Sequence, residues 1–524
     1  MILNGSCCEN IGGTERKETS GNLKNIMNKR QKMLYASLVL SLSVGQAEID
    51  RSELDYAPSP PPKTKQVAVP LKMDPLNINV VSGNLGDYQE SFRNSFANNM
   101  CLWLTAKPDV ENSFISWELD FPDEGTYQVY AVASGSESKM ALTCNGEVSE
   151  EYVTLEKTNQ WKRISMGEFH FKKGINRLQL SAVKKKKFEF DALEIVQAEV
   201  KNMIDKEAKA MRVQPDWFKN AGYGLMFQWT NRATPPKGDI KPWEQKVNDF
   251  DLDGFVKTVE SSGAAYVMWS ITWGNQYISA PIKALDEIIA GRTTQRDLLG
   301  EMADALDEIG VKLIFYYHYG YDCSHSIDKE WMEASGGYEA DKTRLYENFQ
   351  AIIGEIGERY GEKLHGWWFD GGQRFYNCHF DNSQGDQGPL SAPFRKLTEA
   401  SRIGNKNRVV AYNSWIKPML TEYQDYYGGE GVAQFGGLEN GIFPSGSKKG
   451  LQAHGCFILE KEWGHIKKNT PIPAPKMKLE KLVELIEKAQ AGKYPLSINL
   501  EMFEDGSVSP DSIALLKQLK ASVR

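Results

Sequence analysis

The spacing of apolar residues changes character near position 200. Before it, apolar and polar residues alternate in short runs such as Phe114-Ile115-Ser116-Trp117-Glu118-Leu119, Tyr127-Gln128-Val129-Tyr130-Ala131-Val132 and Arg177-Leu178-Gln179-Leu180-Ser181-Ala182. Period-two alternation sends successive side chains to opposite faces of a strand. Turn residues separate the runs: Asp123-Glu124-Gly125, Asn145-Gly146 and Lys173-Gly174. The basic run Lys184 to Lys187 reads as a solvated hairpin tip. Residues 74–199 are therefore expected to form an all-β sandwich.

After a connecting helix at 200–215 the pattern becomes strand, loop, helix. Candidate strands are 222–229, 264–273, 311–320, 365–371, 408–415, 425–431, 455–463 and 495–501. Helical spacing is clearest from Gln295 to Ile309 and recurs at 250–262, 341–360, 478–491 and 510–519. Strands alternating with crossover helices predict an α/β unit, a (β/α)₈ TIM-like barrel over residues 216–524.

The N-terminal stretch has its own pattern. Met27-Asn28-Lys29-Arg30-Gln31-Lys32 is basic, Met33 to Val44 is apolar, and Gly45-Gln46-Ala47 is small. This is the plan of a secretory signal peptide, too short for a membrane span. It predicts a secreted or periplasmic protein, with translation starting at Met27 or Met33 and residues 1–26 an upstream artefact. Residues 48–73, with Pro58, Pro60, Pro61, Pro62 and Pro70, read as an extended linker. Five cysteines follow the cleavage site: Cys101, Cys144, Cys323, Cys378 and Cys456. Their irregular spacing gives neither a disulfide framework nor a zinc pattern, though Cys101 and Cys144 share a domain and could pair. A net charge of -7 on 524 residues gives no reason to expect nucleic acid or an anionic membrane as partner. No metal or organic cofactor is implied, and the oligomeric state is open.

The chemistry gathers at the strand ends, where barrel active sites form. Strand four ends in Trp367-Trp368-Phe369-Asp370-Gly371-Gly372. A carboxylate there, flanked by rings that stack on a sugar and by glycines that give access, suits a glycosidase nucleophile; a helix N-cap is the plain alternative. Glycoside hydrolysis needs a second carboxyl as acid/base. Glu430 stands out because a Glu among Gly428, Gly429 and Gly431 has little helix or strand value. Glu460 and Glu462 are expected to share one face of strand seven, and Glu462, beside Trp463, is the rival acid. Trp229, Trp273, Trp368 and Trp463 offer stacking surfaces. Gln228, Asn275, His318 and Asn413 offer hydroxyl-binding groups. His318 and His325 are also candidates for a proton relay. The expected partner is an oligo- or polysaccharide.

Two resemblances sharpen this. Gly125-Thr126-Tyr127-Gln128-Val129-Tyr130, Lys173-Gly174-Ile175-Asn176-Arg177-Leu178 and Phe190-Asp191-Ala192-Leu193-Glu194-Ile195 resemble carbohydrate-binding modules of the family 6 and family 35 type. From 216 to 521 the chain resembles the α-L-fucosidases of glycoside hydrolase family 29. The matching phrases are Trp217-Phe218 with Gly222-Tyr223-Gly224-Leu225-Met226-Phe227, Arg296-Asp297-Leu298-Leu299, Gly310-Val311-Lys312-Leu313-Ile314-Phe315-Tyr316-Tyr317, Trp368-Phe369-Asp370-Gly371, and Leu496-Ser497-Ile498-Asn499-Leu500 with Asp505-Gly506. The resemblance implies a retaining mechanism with Asp370 as nucleophile; the family's acid/base glutamate varies in position. Two departures bear on substrate. Gln228 stands where the family has the His of a His-Trp pair. Thr272-Trp273-Gly274-Asn275-Gln276-Tyr277 stands where it has Lys-His-His-Asp-Gly-Phe. The expectation is an α-L-fucosidase-like enzyme for a fucosyl or related deoxy-sugar linkage. A glycosidase for another sugar, an endo-acting enzyme on a fucose-containing polysaccharide, and a non-catalytic glycan-binding protein remain open.

Overall fold

The computed structural model describes residues 91–97, 101–108, 112–148, 153–155, 161–183, 187–319, 328–339, 343–370, 392–415, 418–419, 421–432, 435 and 437–523, with short strands at 66–68 and 76–79. The run at 27–47 lies outside them. So do Cys323, Cys378, His325, Lys184 to Lys186, Gly371 and Gly372. The side chain of Cys101 is outside too, and with it the pairing to Cys144.

Twelve strands precede residue 198 among the described residues. They are β1 (Gln66–Ala68), β2 (Leu76–Asn79), β3 (Phe92–Ala97), β4 (Cys101–Ala106), β5 (Asn112–Phe121), β6 (Gly125–Gly135), β7 (Lys139–Cys144), β8 (Glu147–Val148), β9 (Val153–Thr154), β10 (Lys162–Phe171), β11 (Gly174–Val183) and β12 (Phe188–Gln197). They make two six-stranded sheets. One runs β1-β5-β11-β7-β8 with β9 also on β7, the other β10-β6-β12-β4-β3 with β2 on β12. Because β1 pairs in parallel with β5, the stretch expected to be pure linker already supplies a strand. Alternation works as anticipated. Ile115, Trp117, Leu178 and Leu180 of the first sheet meet Val129, Ala131, Phe190 and Leu193 of the second in one buried cluster. The other face of the second sheet carries Tyr130, Val132, Ala192 and Glu194.

A linking helix α1 (Ala198–Met211) and a short α2 (Asp216–Lys219) lead into the second unit. It contains β13 (Tyr223–Phe227), α3 (Trp243–Asn248), α4 (Leu252–Ser262), β14 (Tyr266–Thr272), α5 (Lys283–Ile288), α6 (Leu298–Glu308), β15 (Lys312–His318), α7 (Lys329–Ser335), α8 (Thr343–Tyr360), β16 (Leu364–Asp370), α9 (Phe394–Ser401), β17 (Val409–Tyr412), β18 (Gly455–Ile458), α10 (Leu479–Gly492), β19 (Leu496–Leu500) and α11 (Pro510–Val523). Asp251 and Asp297 start α4 and α6 by accepting the N–H of Gly254 and Gly300. The strands form one parallel sheet, ordered β17-β16-β15-β14-β13-β19-β18.

That sheet has seven strands, not eight. The expected strand at 425–431 is extended chain that touches both edges. Asp425 N donates to Val410 O at 2.8 Å, Tyr427 N to Gln452 O at 2.9 Å, and Gln452 N to Asp425 O at 3.0 Å. A side chain adds to these few backbone bonds. The Asp425 carboxylate accepts from Val410 N (2.8 Å), Val213 N (2.7 Å) and both its oxygens from Arg402. Beyond Gly428 and Gly429 the chain returns to the sheet at Gly431, whose N–H donates to Cys456 O of β18 at 3.0 Å.

Each parallel strand has two faces. One packs under the helices, with Phe227, Trp269, Phe315 and Trp367 among its residues. The other forms a separate inner cluster, with Met226, Met268, Tyr316, Trp368, Tyr426 and Cys456. Gly224 belongs on this inner face because Tyr266 lies across it: an added Cβ would sit 2.5 Å from the ring.

Candidate active site

The inner face ends, at the C-terminal edge of the sheet, in a group of carboxyls and their partners. Asp370 is the last residue of β16 and is buried. Tyr316, inward on the neighbouring β15, donates its hydroxyl to Asp370 Oδ2 at 2.5 Å. Asn413, just after β17, donates to Asp370 Oδ1 at 3.1 Å. The same Nδ2 donates to Glu430 Oε1 at 3.0 Å. One amide nitrogen, with a hydrogen for each, therefore bridges the two carboxyls, and those oxygens lie no more than about 6 Å apart.

Glu430 is partly exposed, so the group opens to solvent on its side. Its carboxyl is nonetheless pushed up to about 7, by burial first and then by the neighbouring Asp370 charge, against the pull of the Asn413 hydrogen bond. Cys456, inward on β18, is pushed well up by burial and by Glu430 and Asp370.

The loop after β17 holds this geometry. Asn413 Oδ1 accepts Trp415 N at 2.8 Å, fixing the amide's orientation. Trp415 has φ of +54°, uncommon for a residue with a large side chain. Its carbonyl accepts Glu430 N at 3.1 Å and the Tyr427 hydroxyl at 3.1 Å.

The other proposed site residues divide. Trp368 lies inward beside Tyr316, ring centroids 5.1 Å apart, with its indole N–H on Gly428 O at 3.0 Å. Gln228 is buried and its Oε1 accepts Ser270 Oγ at 2.8 Å. His318 is buried, in register with Asp370 on the adjacent strand, and its carbonyl accepts Thr272 Oγ1 and Gln276 Nε2 at 2.7 Å each. Trp273 and Asn275 flank Gly274 at the rim, where Arg232 lies over the Trp273 ring. Trp463 packs on the inner cluster and its carbonyl accepts Asn499 Nδ2 at 2.9 Å.

Two residues fall elsewhere. Trp229 is buried among Trp243, Phe250 and Trp269 on the helix side, its indole N–H on Glu504 O at 3.2 Å. Just past the end of β13, Gln228 turns to Ser270 while Trp229 turns to the helix-side rings. Glu462 faces Lys461 and Lys467, each 3.8 Å away, and sits at the rim. Glu460 does not share a face with it, because β18 ends at Ile458 and the alternation ends there too. Glu460 is fully buried and accepts from Ser512 Oγ at 2.5 Å and Glu501 N at 3.1 Å. Tyr316 was missed; two-residue spacing from His318 on one strand was the signal that could have found it.

The fold is similar to solved fucosidases at low identity. A GH29 α-L-fucosidase from Bacteroides thetaiotaomicron is 15% identical over 59% of this chain and 74% of its own, with a TM-score of 0.42. The α-L-fucosidase AlfC from Lactobacillus casei is 16% identical over 59% and 97%, at 0.43. A bacterial fucosidase solved with a monovalent iminocyclitol inhibitor is 14% identical over 59% and 74%, at 0.41. No protein-family model matches the chain, and no curated protein matches it. Likeness of this size carries no argument about reaction or substrate, which rest on the residues themselves.

Proposed function

We propose that this chain is a retaining glycoside hydrolase, α-L-fucosidase-like, acting on an α-L-fucosyl or related deoxy-sugar linkage. The observation that carries this reading is the bridged pair of carboxyls, Asp370–Asn413–Glu430. Retaining enzymes hold their two carboxyls about 5–5.5 Å apart and inverting ones about 6.5–9.5 Å. The shared amide keeps the facing oxygens below the inverting range.

Asp370 attacks the anomeric carbon as the bond to the leaving oxygen breaks, and Glu430 gives that oxygen its proton. In the second step the Glu430 carboxylate takes a proton from water. That water's oxygen bonds to the anomeric carbon and Asp370 leaves. A carboxyl held protonated near neutrality suits the acid role. Tyr316 and Asn413 support the charge on Asp370 by donating to both of its oxygens.

The parallel sheet fits a (β/α)₈ barrel whose sixth position is filled by 425–428. Gln228, Trp273, Asn275, His318, Trp368 and Trp463 surround the sugar in this reading. The run at 27–47 supports a secreted or periplasmic enzyme with an oligo- or polysaccharide substrate. The two-sheet unit is read as carbohydrate-binding-module-like.

The test is hydrolysis of 4-nitrophenyl α-L-fucoside by protein lacking residues 1–47, beside Asp370→Asn and Glu430→Gln, with the product anomer followed by NMR. The expected result is turnover with retention that both variants lose. Turnover by none of them on aryl glycosides or on fucose-containing polysaccharide, with glycan binding intact, would leave a binding protein instead.

A further inference from the structure

The two-sheet unit meets the parallel unit beside the acid. Trp103 of β4 stacks on Trp415, centroids 6.5 Å apart and 28° between planes. Trp103 is itself fixed: Trp161 meets it edge-on at 5.6 Å, and its indole N–H donates to Glu189 Oε1 at 2.9 Å. Trp415 is the residue whose N–H orients Asn413 and whose carbonyl holds Glu430 N. Its left-handed backbone is costly for a tryptophan and persists only when the surroundings hold it.

We infer that Trp103 is a positioning residue for catalysis: the N-terminal unit, through the Trp103–Trp415 stack, holds the loop that sets Asn413 and Glu430 against Asp370. This rests on the proposed reaction. The units are joined independently by ion pairs of Glu422 with Arg163 at 2.8 Å and with Lys201 at 3.2 Å. Removing one indole therefore loosens the loop without parting the units.

Among the described residues, the titratable groups around Glu430 are Asp370 from β16, Cys456 from β18, and Tyr427 with Lys448 over its ring. None is in the two-sheet unit. A change in Glu430 titration on altering Trp103 thus reports loop position, not a lost charge.

The experiment compares wild type, Trp103→Phe and Trp103→Ala in the full secreted chain. Glu430 is titrated by infrared difference spectroscopy, assigned with Glu430→Gln, and kcat and KM are measured on the active substrate. For Trp103→Ala we expect Glu430 to titrate at lower pH as water reaches it, and kcat to fall about 10- to 100-fold with KM little changed. Trp103→Phe, which keeps a ring, should recover most of both. Unchanged Glu430 titration in a folded Trp103→Ala protein would overturn the inference, as would a rise in KM at wild-type kcat. Absence of turnover in the wild type would instead overturn the glycosidase reading, and the titration would still decide the role of Trp103.

Discussion

Two carboxyls among the described residues are pushed up to about 7, and only one of them belongs to the candidate site. Glu430 and Glu460 share the same leading cause, burial. Their surroundings differ. Glu430 is partly exposed and shares an amide with a second carboxylate. Glu460 is sealed between the loop after β18 and the start of α11, with Ser512 and Glu501 N as partners. Glu460 also has a carboxyl neighbour, Glu501, so a raised carboxyl marks a buried carboxyl, and what sets Glu430 apart as the candidate acid is its exposure and the amide it shares with Asp370.

Breaking the pair should show this in order of size. Asp370→Asn should lower kcat on the order of 10⁴-fold or more, as loss of a nucleophile does. It should also lower the Glu430 pKa by removing the nearby charge and leave Glu460 unmoved, readable by infrared titration. Glu430→Gln should cost about 10²–10⁴-fold, most with poor leaving groups and least with aryl ones. In the wild type the acid must hold its proton, so kcat should fall as pH rises through about 7. Glu430→Gln should lose that limb. Tyr316→Phe should lower kcat about tenfold, in keeping with one hydrogen bond to a charged group. Glu460→Gln should leave kcat within about twofold and change stability instead. A folded-state pKa above the ordinary 4.5 gives stability that is full below that value and lost as pH rises through about 7. Melting temperature between pH 5 and 8 should therefore fall less in Glu460→Gln than in wild type. Trp229→Phe should do least to turnover, costing about 1–3 kcal/mol of stability through a lost hydrogen bond and volume, checked by denaturant unfolding.

The carboxyl-bearing half of the candidate site was more legible in the sequence than the half expected to read the sugar. Asp370 ends an apolar run, and Glu430 sits among glycines, so each was conspicuous. Asn413 followed from its place at a strand end, but its pair of hydrogen bonds, one to each carboxyl, is tertiary geometry. Trp229 was misplaced because strand ends were treated as one ring of residues, although past the end of β13 the Trp229 ring packs among Trp243, Phe250 and Trp269 on the helix side. Glu460 was paired with Glu462 by carrying strand alternation past the end of β18. The sixth strand failed for a different reason. There a buried carboxylate, Asp425, takes the N–H of Val410 on β17 as well as that of Val213 outside the sheet, and no periodicity registers that.

The ion pairs between the units have a consequence for synthesis. Arg163 and Glu194 leave the ribosome together, yet Glu422 follows more than two hundred residues later. In the finished protein Glu422 is held down at about 2: burial alone would raise it, and Arg163 with Lys201 overcomes that. Until it arrives, the nascent two-sheet unit presents Trp103, Trp161 and Arg163 paired with Glu194 alone on one face. Chains stalled between these points are the species most exposed to aggregation, and a chaperone or slow C-terminal translation would matter most in that interval.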